Sequence, residues 1–336
     1  MLYSKEKLDK LKHRWTTAKG KQLIKTIKRS HCYLSPTLFR EKVKNFPGIN
    51  DKEVKKGIDL RGAPLAGFDF RVKVTDDDNF VEEIAILSNI FFEGANLKHC
   101  NFNDGKIHDC YFENTSLEHS DFKGTTLNAC HFEESNLSGI SLRGAKLINC
   151  NFHNAKIKDI TLDTTIVDEK TTFGKTLKSE KSEGQHFASI EYKQIKEMYK
   201  NSSLHNISDY YHYKEMVSKR KMKKFYSPNR IFNYIFGDLL CKYGTSFSRV
   251  LLWSLLIIVT CAFFLMKNHS LVYLNTPGNT SFFDALYFSI VTFTTLGYGD
   301  YHAIGDMRYV AAAEAFMGAA LIALFTVIVA RNIIRD

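Results

Sequence analysis

Large apolar residues recur at every fifth position through the middle of this 336-residue chain, and this period constrains the fold more than any other feature. The in-register positions are Leu87, Phe92, Leu97, Phe102, Ile107, Phe112, Leu117, Phe122, Leu127, Phe132, Leu137, Leu142, Leu147, Phe152, Ile157, Leu162 and Val167. A period of five fits neither a helix, at about 3.6 residues, nor a strand, at about two. It predicts a chain that turns a corner after each repeat and points one large side chain inward.

Compact residues recur two positions before the large ones, so each unit places one large and one small side chain inside. This pattern resembles the pentapeptide-repeat family, over about residues 58–167. The resemblance implies a right-handed, four-sided β-helix with four repeats in each coil. The predicted stacks are Phe92, Phe112, Phe132 and Phe152 on one face and Phe102 and Phe122 on the opposite face. The segment Arg71 to Glu83 interrupts the period, and we expect it to loop out.

Three cysteines and the surface charge of the repeat limit what this region does. Cys110, Cys130 and Cys150 are spaced one predicted coil apart and should stack inside the solenoid. We interpret them as compact core residues rather than a metal ladder, because paired metal-ligand spacing is missing. Residues 87–167 carry 10 acidic and 7 basic side chains. That near-balance argues against DNA mimicry, and no nucleic-acid partner is expected. The repeat pairs no nucleophile with a base, so we do not expect an enzyme.

Two apolar segments in the last third predict membrane spans. Val250 to Met266 contains no charged residue, and Tyr309 to Ala330 contains one, Glu314. A bilayer core needs roughly 20 apolar residues of helix, so the first segment is slightly short and the second is long enough. Basic residues precede the first span and follow the second, which places both termini in the cytoplasm of a multi-pass inner-membrane protein. The seven cysteines then face a reducing compartment.

The septet Thr-Thr-Leu-Gly-Tyr-Gly-Asp, Thr294 to Asp300, lies between these spans and follows an amphipathic segment, Phe282 to Phe293. Gly297 and Gly299 allow the backbone to alternate in handedness without a Cβ clash. The order of segments resembles two-transmembrane potassium channels over roughly residues 245–331, with outer helix, pore helix, filter and inner helix. Their Thr-Val-Gly-Tyr-Gly-Asp signature is matched here with leucine in place of valine.

The resemblance implies a role for each matching residue. The filter that coordinates K⁺ comprises Thr295, Leu296, Gly297, Tyr298 and Gly299, with ions at Thr295, Leu296, Gly297 and Tyr298. Tyr298 is expected to wedge against Tyr287 and Phe288. The predicted mouth and support residues are Thr292, Thr294, Asp300 and Glu314, of which Glu314 should point behind the filter toward the two threonines. Gly318 is predicted to be the inner-helix hinge or, equally, a close-packing glycine. The pore-lining candidates are Ile322 and Thr326.

The remaining segments predict connectors. Residues 1–57 form a helical cap on the first coil, and 58–167 form the solenoid with its insert at 71–83. Residues 168–244 contain a helical hairpin over 186–224 and a short interfacial helix from Ile231 to Tyr243. The basic run Lys219 to Lys224 is expected to attract anionic lipid. Residues 245–336 form the pore domain.

Together these features predict a multidomain membrane protein, in which a cytoplasmic solenoid and a helical connector precede a two-helix tetrameric potassium-channel pore. Each chain supplies one quarter of the filter, so its partners are three further copies of itself. No cofactor is expected apart from potassium ions in the filter. The solenoid regulates or scaffolds the pore through a ligand or protein partner that the sequence does not name. The alternative is a membrane-anchored interaction protein, in which the solenoid docks a partner and the pore is incidental.

Overall fold

A computed structural model describes residues 4–29, 57–75, 81–269, 271–273, 276–277 and 281–335. The chain divides into two compact units, Met1–Met222 and Lys223–Asp336. The first unit holds the repeat of period five, and the second holds the two apolar spans.

The repeat forms a four-sided parallel β-solenoid. On one side, strands β3 (Val81–Ser88), β5 (Lys106–His108), β6 (Thr126–Asn128), β7 (Lys146–Ile148) and β8 (Ile166–Val167) form a parallel ladder. Leu87 pairs with Ile107, and Ile107 pairs with Leu127, so each coil contains the four repeats that were predicted. Isolated parallel bridges, such as Asn96 to Ser116 and Asn101 to Asp121, join successive coils on the other sides. Each coil thereby supplies the hydrogen-bond partners of the next.

The corners of the solenoid explain the period. A residue with positive φ occurs at every fifth position, two places after an inward large side chain. Most of these residues are glycine, asparagine, aspartate or histidine, because these types tolerate the left-handed region best. The set is Asn89, Gly94, His99, Asp104, Asp109, Asn114, His119, Gly124, Ala129, Glu134, Gly139, Gly144, Asn149, Asn154, Asp159 and Thr164.

The predicted aromatic columns are confirmed. Phe92 and Phe112 stack at a centroid distance of 5.0 Å, and the steps from Phe112 to Phe132 and from Phe132 to Phe152 are both 4.8 Å. On the opposite side Phe102 and Phe122 stack at 4.4 Å. Phe173 extends the first column at 4.6 Å from Phe152, beyond the predicted last position, Val167.

Small inward residues bond to the coil before them. The Thr115 hydroxyl donates to the Phe92 carbonyl at 3.0 Å, and the Ser120 hydroxyl donates to the Leu97 carbonyl at 2.6 Å. The cysteines follow the same rule, since the Cys130 thiol lies 3.6 Å from the Ile107 carbonyl and the Cys150 thiol 3.5 Å from that of Leu127. These contacts support the interpretation of the cysteines as core residues.

Helices α1 (Lys5–His13) and α2 (Ala18–Arg29), with a 3₁₀ turn between them (Arg14–Thr16), cover the first coil. Trp15 is buried and its Nε1 donates to the Arg61 carbonyl at 2.7 Å. Arg14 forms a buried ion pair with Asp59 at 2.6 Å. These contacts agree with the predicted capping role of this segment, whose residues 30–56 lie outside the described part of the chain. The short strands β1 (Ile58–Asp59) and β4 (Ile90–Phe91) pair in parallel beneath the cap.

The insert corrects one expectation. Residues 71–83 were expected to loop out, but β2 (Arg71–Thr75) pairs antiparallel with β3, from Arg71 opposite Ala85 to Thr75 opposite Val81. The insert is therefore a β-hairpin arm, and β3 runs without a break from the arm into the first solenoid side. Its alternating valines favour a paired strand over a free loop.

The predicted helical hairpin is present, and it covers the last coil. After the short α3 (Lys178–Ser182), helices α4 (Gln185–Asn201) and α5 (His205–Lys221) pack together. The Tyr199 hydroxyl donates to the Thr171 carbonyl at 2.6 Å, and Ile195 and Met198 are buried beside it. Ile190, predicted to share this buried face, is instead 46% exposed. It precedes Ile195 by five positions, which is not a same-face spacing on a helix.

In the second unit, α6 (Pro228–Phe232) continues into a π-helical stretch (Asn233–Leu239). The two long helices are α7 (Phe247–Lys267, 21 residues) and α9 (Met307–Arg335, 29 residues), and both are long and apolar enough to cross a membrane. Between them lie β9 (Leu271–Tyr273), β10 (Thr276–Pro277), the short apolar helix α8 (Phe282–Phe293) and β11 (Tyr301–Ala303). The three strands form a small sheet in the order β10-β9-β11.

Candidate functional site

Helix α8 ends at Phe293, directly before the glycine-rich septet. A capping box starts the helix, because the Phe283 N–H donates to the Ser281 hydroxyl at 3.3 Å and the Ser281 N–H donates to Asp284 Oδ2 at 3.2 Å. At the other end the Leu296 N–H donates to the Val291 carbonyl at 3.0 Å. Thr294 caps this end, and its hydroxyl donates back to the Ile290 carbonyl at 2.7 Å.

The septet backbone alternates in handedness. Thr295, Gly297 and Gly299 have φ angles of 59°, 58° and 80°, whereas the intervening Leu296 and Tyr298 do not have positive φ. Glycine adopts such a conformation readily, but a β-branched threonine does so only under strain of the order of 1–3 kcal/mol. Strain of this kind persists where the surrounding structure imposes it, typically at functional sites. For the carbonyls of successive residues to face one common axis, the backbone must alternate in handedness in this way.

The large side chains of the septet are uncovered. In the single chain Leu296 is 61% exposed and Tyr298 is 68% exposed. The predicted wedge of Tyr298 against Tyr287 and Phe288 is not seen, since no ring contact joins them within the described residues. Tyr287 instead donates its hydroxyl to Asp300 Oδ2 at 2.9 Å.

Asp300, the last residue of the septet, accepts hydrogen bonds from two directions. In addition to the Tyr287 hydroxyl, the Tyr301 N–H donates to Asp300 Oδ1 at 3.0 Å. The Tyr301 hydroxyl in turn donates to Asp284 Oδ1 at 3.1 Å, near the start of α8. Helix α8 is thereby tied to the segment that follows the septet.

Glu314 is fully buried behind α8, not exposed to lipid. Its carboxylate accepts a hydrogen bond from the Ser289 hydroxyl, which also lies 2.9 Å from the Ile258 carbonyl. The expected partners, Thr292 and Thr294, were therefore the wrong ones. Thr294 is engaged in capping the helix, and Glu314 meets α8 about one turn before its end.

Gly318 lies where α9 crosses the end of α8. A Cβ at this position would lie 2.0 Å from the Phe293 carbonyl oxygen, so any larger residue must push the two helices apart next to the septet. The glycine is thus required for close packing. Its role as a hinge stays a prediction, and α9 is one continuous helix from Met307 to Arg335.

Ile322 and Thr326 follow Gly318 at intervals of four positions, so all three lie on one face of α9. Ile322 is 41% exposed, and Thr326 is exposed while its hydroxyl donates to the Ile322 carbonyl at 2.9 Å. Beyond Gly318, which is buried against α8, this face is uncovered in a single chain at Ile322 and Thr326, as pore-lining positions would be.

Sequence reasoning missed two functional contacts, those of Ser289 and of Asp284. The capping box was detectable, because Ser281 and Asp284 have the spacing of this motif at the start of an apolar run. Ser289 was not, because its partner Glu314 is far away in the sequence. A lone serine in an apolar helix carries no signal of which neighbour it will meet.

On the expectation from the sequence that the septet is an ion filter, the Ser289–Glu314 contact predicts that substitutions will have graded effects on ion selectivity. Glu314→Val removes the hydrogen bond, so we expect faster inactivation or a raised Na⁺ permeability, whereas Glu314→Gln keeps an acceptor and should be milder. Ser289→Ala is the matched partner variant, and a double-mutant cycle with Glu314→Val should be non-additive. Bilayer recordings of open time and Na⁺/K⁺ permeability measure this. Wild-type values in both Glu314 variants would show that the contact does not support the septet.

Two families match two parts of the chain. Residues 250–335 match the ion channel family, and residues 85–170 match the pentapeptide repeat region family. The chain therefore joins a β-solenoid that matches the pentapeptide repeat region to a region that matches the ion channel family and contains two helices long and apolar enough to cross a membrane. No curated protein matches this chain.

Several solved structures that are similar to part of the chain are pentapeptide repeat proteins. HetL, involved in heterocyst differentiation regulation in the cyanobacterium Nostoc sp. strain PCC 7120, is 17% identical over 32% of this chain and 46% of its own, with a TM-score of 0.28. Rfr23 from the cyanobacterium Cyanothece 51142 is 18% identical over 35% of this chain and 86% of its own, with a TM-score of 0.28. A protein of the Arabidopsis thaliana thylakoid lumen is 19% identical over 32% of this chain and 66% of its own, with a TM-score of 0.19. This chain thus spans less than half the length of HetL.

Proposed function

We propose that this protein is a homotetrameric, potassium-selective channel, and that it conducts passively, without catalysis. The observation that carries the proposal is the backbone alternation at Thr295, Gly297 and Gly299, in a septet held between the end of α8 and the start of β11. A dehydrated K⁺ exchanges its water shell for rings of backbone carbonyls. Successive carbonyls reach one axis only when the backbone alternates in this way.

Four copies are needed, because one chain supplies a quarter of each carbonyl ring. The carbonyls of Thr295, Leu296, Gly297 and Tyr298 are the proposed ligands of K⁺, and the Thr295 hydroxyl forms the innermost ring. The exposed Leu296 and Tyr298 side chains then find their packing partners on neighbouring copies. The uncovered face of α9 with Ile322 and Thr326 lines the cavity below.

Ion flux from liposomes tests this function. Full-length protein reconstituted into liposomes should release K⁺ along its gradient, and bi-ionic recordings should show a K⁺ permeability well above that of Na⁺. Equal permeability to the two ions contradicts potassium selectivity. Failure to conduct any ion, in protein shown to be tetrameric by its mass in detergent, favours a membrane-anchored scaffold instead.

A membrane-facing segment precedes the first span. Basic residues Lys219 to Lys224 are followed by exposed aromatic side chains, including Phe225, Tyr226 and Phe232, at 68%, 85% and 60% exposure. Exposed rings next to basic groups suit the headgroup region of a bilayer whose lipids are anionic. The liposome assay therefore includes vesicles with and without anionic lipid. We expect less protein to be reconstituted, and a lower K⁺ flux, in the vesicles without anionic lipid. Equal reconstitution and flux in the two kinds of vesicle would argue against this lipid contact.

We further propose that the solenoid lies in the cytoplasm and regulates the pore. Deleting Met1–Met222 removes this unit as a whole, whereas a cut at 185 would leave Tyr199 and Met198 without the coil that buries them. The truncated protein should still conduct K⁺ with unchanged selectivity, but with an altered open probability. An open probability equal to that of the full chain would show that the solenoid does not gate the pore.

A further inference from the structure

Two rows of outward side chains run along one face of the solenoid, on either side of the buried phenylalanine column. In one row, Phe91, Tyr111 and His131 stack ring on ring, at centroid distances of 4.6 and 5.0 Å. The other row contains Glu113 and Glu133, each two positions after a residue of the first row. Residues two apart along an extended segment point to the same face, so the rows lie side by side.

Three ligand atoms converge where these rows meet. One nitrogen of His131 and one oxygen each of Glu113 and Glu133 lie within 4.8 Å of one another. His131 Nδ1 is 3.4 Å from Glu133 Oε1. That is about the separation of two ligand atoms around a tetrahedral ion with bonds of roughly 2.0–2.2 Å. Glu113 belongs to the preceding coil, so the cluster joins two coils.

The carboxylates are poorly satisfied by the protein itself. Glu113 Oε2 and Glu133 Oε2 are buried and have no hydrogen-bond partner among the described residues. A buried carboxylate oxygen without a partner is costly, and a cation between the two groups removes this cost.

Neighbouring groups hold the ligands in place. Asn151 Nδ2 donates to Glu133 Oε1, and the Tyr111 ring lies parallel to the His131 ring, with an interplanar angle of 1°. Such outer contacts orient the ligands of a metal site and contribute to its affinity. Asn151 and Tyr111 make these contacts with the ligands but would not themselves bind the ion.

We propose that Glu113, His131 and Glu133 form a Zn²⁺-binding site on the solenoid, a function separate from ion conduction. Imidazole together with carboxylates suits zinc, whereas Mg²⁺ and Ca²⁺ take oxygen ligands. Three protein ligands leave the fourth position of a tetrahedral ion to water. Because the ligands come from successive coils, the bound ion clamps the two coils together.

Titration of full-length, chelator-treated protein with Zn²⁺ tests the site, by calorimetry and by the visible absorption of Co²⁺ as a substitute ion. The wild type should bind Zn²⁺ in preference to Mg²⁺. The double variant Glu113→Gln/Glu133→Gln, and His131→Asn alone, should each lose at least about tenfold in Zn²⁺ affinity, since even the loss of outer contacts costs about 10- to 100-fold.

Two controls occupy other rows of the same solenoid. Glu118→Gln alters an outward carboxylate that pairs with Lys98 at 2.9 Å, and His99→Asn alters an exposed histidine. Both should bind Zn²⁺ like the wild type. Equal Zn²⁺ affinity in the wild type and in the ligand variants overturns the proposal. A loss of Zn²⁺ affinity in the control variants as large as that in the ligand variants also overturns it. Because binding is measured without ion flux, its failure leaves the proposed channel function intact.

Discussion

Gly297→Ala is expected to abolish potassium conduction. Gly297 has a φ of 58°, and no atom outside its immediate neighbours lies within 4 Å of the position of an added Cβ in the single chain. The effect is therefore conformational and not a steric clash within one chain. A residue with a Cβ disfavours the left-handed region by roughly 1–2 kcal/mol, and the penalty applies in each of the four copies of the proposed tetramer. Single-channel recordings in bilayers should show no K⁺ current from protein that remains tetrameric.

The chain offers a matched control for this substitution. Gly305 has a φ of 59° and equally has no atom within 4 Å of an added Cβ, but it lies outside the septet. Gly305→Ala imposes the same backbone penalty and should leave K⁺ current and selectivity unchanged. Wild-type current in Gly297→Ala, or loss of current in both variants, would contradict the assignment of the filter to residues 295–299.

Phe132→Ala is expected to destabilise the solenoid by about 3–5 kcal/mol, the usual cost of deleting a buried phenylalanine. Phe132 is 1% exposed and stacks on Phe112 and Phe152, both at 4.8 Å. The cavity cannot close easily, because the coils above and below are held by the parallel backbone ladder. Urea unfolding of the fragment Met1–Met222, which keeps the helices that cover the last coil, measures the change.

Ile86→Ala is the control for this prediction. Ile86 is also an apolar residue of the solenoid, but it points outward and is 50% exposed. Its removal should change the free energy of unfolding by less than about 1 kcal/mol. If the two substitutions had equal costs, the assignment of inward and outward positions would be wrong.

Much of the solenoid could be predicted because its contacts are periodic. Each coil packs only on its neighbours, so the partner of any residue lies one coil away along the chain and repeats the same residue type. The phenylalanine columns and the inward cysteines follow from this rule. The rule fails where the period is interrupted, and the insert at 71–83 accordingly formed a hairpin that the repeat does not specify.

The candidate filter was also predictable, for a different reason. Gly297 and Gly299 are the two residues that accept left-handed backbone without a steric penalty, and both adopt it. The positive φ of Thr295 is not visible from its residue type, because a β-branched side chain disfavours this region. That strain is imposed by the end of α8 and not by the local sequence.

The sequence by itself determined the period of the solenoid, the two apolar spans and the glycines of the septet, because each depends on spacing or on local backbone preference. Only the tertiary structure decided which groups meet across helices. It paired Glu314 with Ser289 instead of Thr292 or Thr294, and it placed Gly318 against Phe293. It also brought His131 and two glutamates of successive coils together. Such contacts depend on how helices cross and coils stack, and no period or propensity in the chain encodes the partner of a single side chain.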